Sequence, residues 1–386
     1  MKNNTKVVMI LAEPCHNDSR VMRQARTLSE TGYGVTILAL YGKGLNRIEE
    51  HDGYRIIRLC CWLPGSGIVA MVAREFFFYI TSFLFILWSR PLVCHIHNPR
   101  ALMPGVLAAK LVGAKIIYDS HELWGEAVHR TDFPQWIFRV VVGLEKFLAH
   151  RADVVLAVSG YIVRVLRKRF RKPVFLIRNV SDGPQITLKG DLLRKSLGLS
   201  GDPRKIVLYQ GLFSPGRGLF EIIEAMQWAT GAVLIFLGYE GTHGIRVPDM
   251  KAKIDGLGLS QKVFIYGPVP ADMILQYTAS ADIGVCSIQA VNKNHVFCLP
   301  NKFFSYVMAG LSVAVSNLPE MGRLVNKYSV GVTFDPTDPR DIAEKLNTLL
   351  GSNGVYQKNI ARFNRVFNWE REGRRMLNIY KKLLSI

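Results

Sequence analysis

Residues 207–238 read VLYQGLFSPGRGLFEIIEAMQWATGAVLIFLG. Val207–Gln210 is a short apolar run, and such a run before a turn signal reads as a buried strand. Tyr209–Leu219 then spaces Gly211, Gly216 and Gly218 around Pro215 and Arg217. Leu219–Ala225 has helical spacing, and Val233–Leu237 is a second apolar run closed by Gly238. A strand, a glycine-rich turn, a helix and a strand make the repeating unit of a parallel sheet covered by helices.

The unit recurs outward from this stretch. Downstream, helical patterns at Met250–Gly256, Met273–Ala279, Lys302–Ala309 and Ile342–Leu350 alternate with strand-like runs at Val263–Tyr266, Ile283–Cys286 and Ser312–Val315. Upstream, strands are expected at Val7–Ala12, Val35–Leu40, Val93–Ile96, Lys115–Tyr118, Val154–Val158 and Val174–Ile177. Helices are expected there at Asp18–Ser29, Ala101–Val112 and Tyr161–Phe170. Ser181–Asp202 is rich in Gly, Asp and Ser and reads as a linker with a small helix at Asp191–Leu197; Phe363–Leu384 reads as one long amphipathic helix. The expected architecture is two doubly wound α/β domains facing a central cleft, with ligands beyond the carboxyl ends of the strands. A length of 386 residues fits two domains of ordinary size.

Composition narrows the partners. Apolar residues are 49% and charged residues 20%, which excludes a disordered chain. The formal net charge of +19 favours phosphates, acidic lipid headgroups or nucleic acid. Zinc-finger and helix-turn-helix spacings are absent, so nucleic acid would rest on charge alone and is not expected. The six cysteines form no CxxC pair, which suggests reduced thiols in a cytoplasmic compartment and no metal site. The amino-terminal apolar run ends at Glu13-Pro14 and does not read as a secretory signal. No GxxxxGK[ST], GxSxG or HExxH motif occurs, nor a GxGxxG after the first strand.

Phe76–Trp88, FFFYITSFLFILW, is the most apolar window. Its length falls short of the roughly 20 residues a bilayer span requires. It reads either as a buried helix or as a helix lying in a membrane interface, its flanking arginines at phosphate level. The basic run Arg164–Lys172 fits a solvated helix face or an attachment patch on an anionic membrane.

Four constellations can do chemistry. The glycine-rich loop with Arg217 opens a helix, where backbone N–H groups and a guanidinium fork suit an anion. It also fits an ordinary turn with a solvated arginine. Leu299-Pro300-Asn301-Lys302-Phe303 lies at another loop-to-helix junction, with Asn301 as a possible cap. A lysine in a first helical turn is electrostatically unfavourable unless an anion sits nearby. Arg217 and Lys302 together suit one diphosphate. In the first half, Asp119-Ser120-His121-Glu122 ends a strand, so His121 can face a ligand with a carboxylate setting its tautomer. Asn17-Asp18-Ser19 follows the first strand, and Asp18 or Ser19 fits either a helix cap or a ligand-facing loop.

Five stretches in order, NDSRVMRQARTLSETGYGVTILAL, YDSHELWGE, VLAVSGYI with IRNVSD, LYQGLFSPGRGL and LPNKFFSYVMAGLSVAVSNLPEM, resemble the family 4 retaining glycosyltransferases of the GT-B fold. The resemblance covers nearly the whole chain. It implies a Rossmann-like acceptor-side domain over residues 1–180, a Rossmann-like nucleotide-sugar domain over 181–362 and a helix at 363–386 crossing back to the first domain. It also implies transfer of a sugar from a UDP- or GDP-sugar with retention, without a metal or a tightly bound cofactor. Arg217 and Lys302 would hold the donor diphosphate, together with Gly211, Gly216, Asn301 and Phe303 of the same two loops. His121 would sit near the transferred sugar, and Asn17 and Asp18 beside the phosphates. Gly267 and Val269 would flank the base. The family's glutamate pair falls on Phe297 and Ser305, so a neutral Ser305 would meet the donor ribose in place of a carboxylate. A lipid-linked or glycan acceptor and a peripheral position on the inner face of the cell membrane are the accompanying expectations. A GT-B epimerase or a degenerate binding protein are the alternatives.

Overall fold

A computed structural model of the chain describes residues 6–16, 18–60, 68–123, 135–182, 190–241, 244–352 and 354–385. The chain divides into two compact units, Met1–Arg178 with Glu372–Ile386, and Asn179–Arg371.

The first unit is built on eight strands: β1 (Lys6–Leu11), β2 (Gly34–Leu40), β3 (Ile48–His51), β4 (Tyr54–Leu59), β5 (Val93–His97), β6 (Lys115–Ser120), β7 (Val154–Ala157) and β8 (Val174–Leu176). Their order is β3-β4-β2-β1-β5-β6-β7-β8, parallel except for the β3–β4 pair. The strand order therefore reverses between β1 and β5. The β3–β4 pair escapes the sequence reading because β3 is a short, charged edge strand, Ile48-Glu49-Glu50-His51, without an apolar run. Helices α1 (Ser19–Glu30), α2 (Ile68–Ser89), α3 (Leu102–Val112), α4 (Gln135–Ala149) and α5 (Gly160–Phe170) connect the strands. Alternate residues Val8 and Ile10 of β1 face the core shared by α2, α3, α4 and α5. The sequence reading omits α4, whose Val140-Val141-Val142 run is a poor helix former taken locally. The apolar window at Phe76–Trp88 lies inside a longer helix: α2 has 22 residues.

The second unit has six strands: β9 (Lys205–Phe213), β10 (Ala232–Glu240), β11 (Val263–Tyr266), β12 (Ile283–Cys286), β13 (Ser312–Ser316) and β14 (Gly331–Phe334). All are parallel, in the order β11-β10-β9-β12-β13-β14, and the order reverses between β9 and β12. Its helices are α6 (Leu192–Ser196), α7 (Leu219–Ala225), α8 (Val247–Gly256), α9 (Ile274–Thr278), α10 (Lys293–Val296), α11 (Asn301–Met308), α12 (Pro319–Tyr328), α13 (Pro339–Leu350) and α14 (Gln357–Val366). Strand β9 runs past its expected end at Gln210, so Gly211 lies within a strand and not in a turn. A Cβ on the facing Gly238 would fall 1.9 Å from the Gly211 carbonyl oxygen, so bare glycine backbone lets the two strands close there.

The expected helix at Phe363–Leu384 is two helices, α14 and α15 (Trp369–Leu384). Asn368 divides them: its Oδ1 accepts the Arg371 N–H at 3.0 Å and its Nδ2 donates to the Asn364 carbonyl at 2.9 Å. Local side-chain bonds of this kind compete with a continuous helix. From Glu372 onward α15 belongs to the first unit, where Glu372 pairs with Arg178 at 3.1 Å.

Candidate active site

In open parallel sheets a ligand sits where the strand order reverses, beyond the carboxyl ends. In the second unit the two strands flanking that point are β9 and β12. The chain leaving β9 carries Arg217, and the chain leaving β12 reaches Lys302 at the start of α11. The two connections are tied together, because the Gln289 N–H donates to the Gly216 carbonyl at 2.9 Å. Gly216 and Gly218 have φ of 73° and 61°. A Cβ on Gly218 would lie 2.2 Å from Ser287 Oγ, and one on Gly216 would lie 2.8 Å from His295 Cε1. Both glycines are thus demanded by backbone angle and by loop-on-loop contact.

Lys302 is half-buried. Its Nζ lies 3.7 Å from the centroid of the Tyr209 ring, and a Cβ on Gly211 would be 3.6 Å from the same nitrogen. Burial lowers the ammonium from the ordinary lysine value to about 7, and the Arg217 charge pushes the same way. The field of Arg217 also reaches Tyr209, Cys286 and Cys298. Among the described residues neither Arg217 nor Lys302 forms an ion pair with an acid. Two cations that repel one another with no carboxylate between them are suited to a bound dianion. The lysine's helix is fixed to the sheet one turn further on. Tyr306 Oη accepts the Gln210 N–H at 2.7 Å and donates to the Val285 carbonyl at 3.3 Å.

The remaining expected residues of this unit fall as follows. Asn301 is exposed and is the first residue of α11; the cap position belongs to Pro300. Phe303 is buried in the core against Phe304 and Phe363, so its side chain does not face a ligand. An aromatic one place after Lys302 is turned about 100° away on a helix. Ser305 is half-buried; its hydroxyl donates to the Asn301 carbonyl at 3.1 Å and contacts Ser181 Oγ at 2.8 Å. Gly267 is exposed and Val269 half-buried, in the loop leaving β11 at the same end of the sheet.

The first unit gathers a second cluster at its own reversal point, between β1 and β5. Asp18 is the N-cap of α1, accepting the Arg20 and Val21 N–H groups at 3.1 and 3.0 Å; Asn17 lies outside the described residues. His121, just past β6, has Nε2 3.2 Å from Nδ1 of His97 at the end of β5. Its direct partner is a histidine and not the carboxylate expected from the sequence. Asp119 Oδ2 stands back at 3.8 Å. Both Asp119 oxygens are taken: Arg20 donates to them at 2.9 and 2.8 Å, and Gln24 adds a bond at 2.7 Å. Burial alone would raise this carboxyl, but Arg20 holds it far below the usual carboxylate range. Burial keeps His95 and His97 neutral, His95 falling to about 4. His95 Nδ1 meets the Tyr380 hydroxyl at 2.8 Å.

Ligand atoms of His95, His97 and Asp119 lie within 4.8 Å of one another. The carboxylate is already neutralised by the Arg20 guanidinium, and a cation there would sit beside a buried positive charge. The sequence reading missed His95, His97, Arg20, Gln24 and Tyr380. The signal for the first two was present, since Cys94-His95-Ile96-His97 puts polar residues at alternate positions of an otherwise apolar strand. Arg20, Gln24 and Tyr380 come from distant helices and left no local pattern.

The fold is that of the GT-B type, two α/β units on largely parallel sheets, each with one reversal of strand order. The comparisons agree. The Glycosyl transferase 4-like domain matches residues 18–179 and Glycosyl transferases group 1 matches residues 192–365. The chain belongs to the family 4 type of glycosyltransferase. It is 22% identical over 258 residues to TuaH of Bacillus subtilis (strain 168), a glycosyltransferase assigned to teichuronic acid biosynthesis, covering 64% of this chain and 63% of that relative. Among solved structures it resembles sucrose-phosphate synthase from Thermosynechococcus elongatus, with a TM-score of 0.82 at 16% identity over 99% and 100% of the two chains. It also resembles Anabaena HepE in complex with UDP-glucose, with a TM-score of 0.75 at 16% identity over the same shares.

Proposed function

We propose that this glycosyltransferase moves a hexose from a UDP- or GDP-sugar to a lipid-linked or glycan acceptor, with retention at the anomeric carbon, in the assembly of a surface polysaccharide or glycolipid. The observation that carries the reading is the pair Arg217 and Lys302, two cations without an acid partner among the described residues, on the connections leaving the strands that flank the reversal point. Cleavage of the anomeric bond leaves negative charge on the departing diphosphate. A preorganised guanidinium and ammonium stabilise that charge as it develops. HepE's complex with UDP-glucose favours a uridine nucleotide, and TuaH's assignment favours a polymer as product. Family membership supports retention, with attack on the face the diphosphate leaves. His121, held by His97, would meet the transferred sugar or the acceptor. The site as proposed uses no metal and no tightly bound cofactor. A cytoplasmic enzyme peripheral to the membrane fits the charge and the apolar helix α2.

The test is a donor screen with membrane extract as acceptor, read by mass spectrometry, on the wild type and Arg217→Ala. The variant should keep its thermal unfolding profile and lose about a hundredfold or more in turnover, the usual cost of removing one such donor. Turnover near that of the wild type would overturn the assigned role.

A further inference from the structure

The outer face of the first unit is unusual in what it leaves uncovered. Phe78, Ser82 and Ile86 of α2 are buried at intervals of four residues. The opposite stripe, Phe76, Ile80, Leu84 and Trp88, is exposed, Trp88 to 77%. Helix α3 repeats the pattern with Met103, Leu107 and Leu111, and α4 with Trp136, Val140 and Leu144. The three helices lie side by side, α2 along α3 and α3 along α4, and bury their inner sides in one core. Their exposed stripes therefore join into one apolar band. Contiguous exposed apolar surface rimmed by polar residues marks an interaction site.

The charge around the band is of one sign. Helix α5 packs beside α4, and Arg164, Arg167 and Lys168 are exposed on it. Lys110, Arg139 and Lys146 stand exposed among the apolar stripes. Among the described residues of these four helices the acids are Glu75 and Glu145; Glu75 pairs with Arg100 and Glu145 is buried against the Tyr118 hydroxyl. Two copies of this face would set like charges against each other, whereas an anionic bilayer complements them. Val72–Ser89 is long and apolar enough to cross a membrane by length and composition. It also supplies Phe78 and Ile86 to the core, so crossing would strip the domain of packed side chains.

We propose that α2, α3 and α4 lie flat on an anionic lipid bilayer. The apolar stripes enter the boundary between headgroups and acyl chains, and the cations of α5 meet lipid phosphate. This rests on the reading of a membrane-associated acceptor and specifies the surface that reaches it. The experiment is vesicle flotation with phosphatidylcholine alone and with added phosphatidylglycerol. It uses the full chain, a Phe76→Glu/Leu107→Glu variant and an Arg164→Glu/Lys168→Glu variant, with UDP-glucose calorimetry run in parallel. The wild type should float with the anionic vesicles. Each variant should partition roughly tenfold less or weaker still, with unchanged UDP-glucose affinity and thermal unfolding. A wild type that ignores anionic vesicles while binding UDP-glucose normally would overturn the docking surface and leave the donor reading intact. Variants that float as well as the wild type would also overturn it. So would light scattering that shows a dimer dissociated by Phe76→Glu/Leu107→Glu, because the band would then cover a second copy.

Discussion

Donor binding should weaken as the pH rises through the neutral range, and the size of the effect follows from Lys302. Burial and Arg217 bring its ammonium to about 7 in the unliganded protein. Only the protonated form attracts a diphosphate, and a bound diphosphate returns the lysine toward its ordinary value. Between those two values binding takes up a proton, so affinity falls as pH rises. From about pH 7 to about pH 8.5 the protonated fraction drops from about one half to about 3%, which weakens binding about fifteenfold, or about 1.6 kcal/mol. UDP-glucose is the suitable probe, because its pyrophosphate diester keeps its charge across that range. Calorimetry in two buffers of different ionisation enthalpy at the higher pH should register uptake of nearly one proton. Lys302→Met should abolish both the uptake and the slope. Wild-type binding that is flat in pH and releases or absorbs no proton would refute the reasoning.

Two further outcomes are expected. Ser305→Glu should strengthen UDP-glucose binding, by up to about tenfold, as a carboxylate replaces a neutral acceptor for a sugar hydroxyl; calorimetric affinity equal to the wild type's would remove Ser305 from the donor site. Asp119→Asn should cost the first unit about 3–5 kcal/mol, measured by urea denaturation, because it leaves the Arg20 guanidinium buried without its counter-charge. A loss under about 1 kcal/mol would show that the pair is not the anchor of the histidine cluster.

How far the sequence alone could reach is clear from particular residues. The apolar runs that became β9 and β10 are short and closed by glycine, and the run that became β12 is short and flanked by Asp282 and Ser287, so their positions and the alternation of strand and helix were legible. Arg217 and Lys302 stood out as candidates, because each lies on the connection that leaves such a run. What the sequence hid was of two kinds. Elements with weak local propensity were lost, as with the charged edge strand β3 and α4, whose middle is the β-branched run Val140–Val142. Contacts between distant segments were lost too: Arg20, Gln24 and Tyr380 join His95, His97 and Asp119 across separations as long as 285 residues. Phe303 shows the converse error, a residue joined to the site by proximity in sequence and removed from it by the turn of the helix. The three-helix apolar band needed both the lengths of α2 and α4 and their order in space; α3 and part of α2 were read beforehand, but α4 was not.

The most direct measurement is an experimental structure of the chain with UDP-glucose or, if that does not bind, a GDP-sugar. The account predicts pyrophosphate oxygens within hydrogen-bonding distance of both the Arg217 guanidinium and Lys302 Nζ, beyond the ends of β9 and β12. A pyrophosphate held elsewhere, with neither of those side chains touching it, would contradict the account.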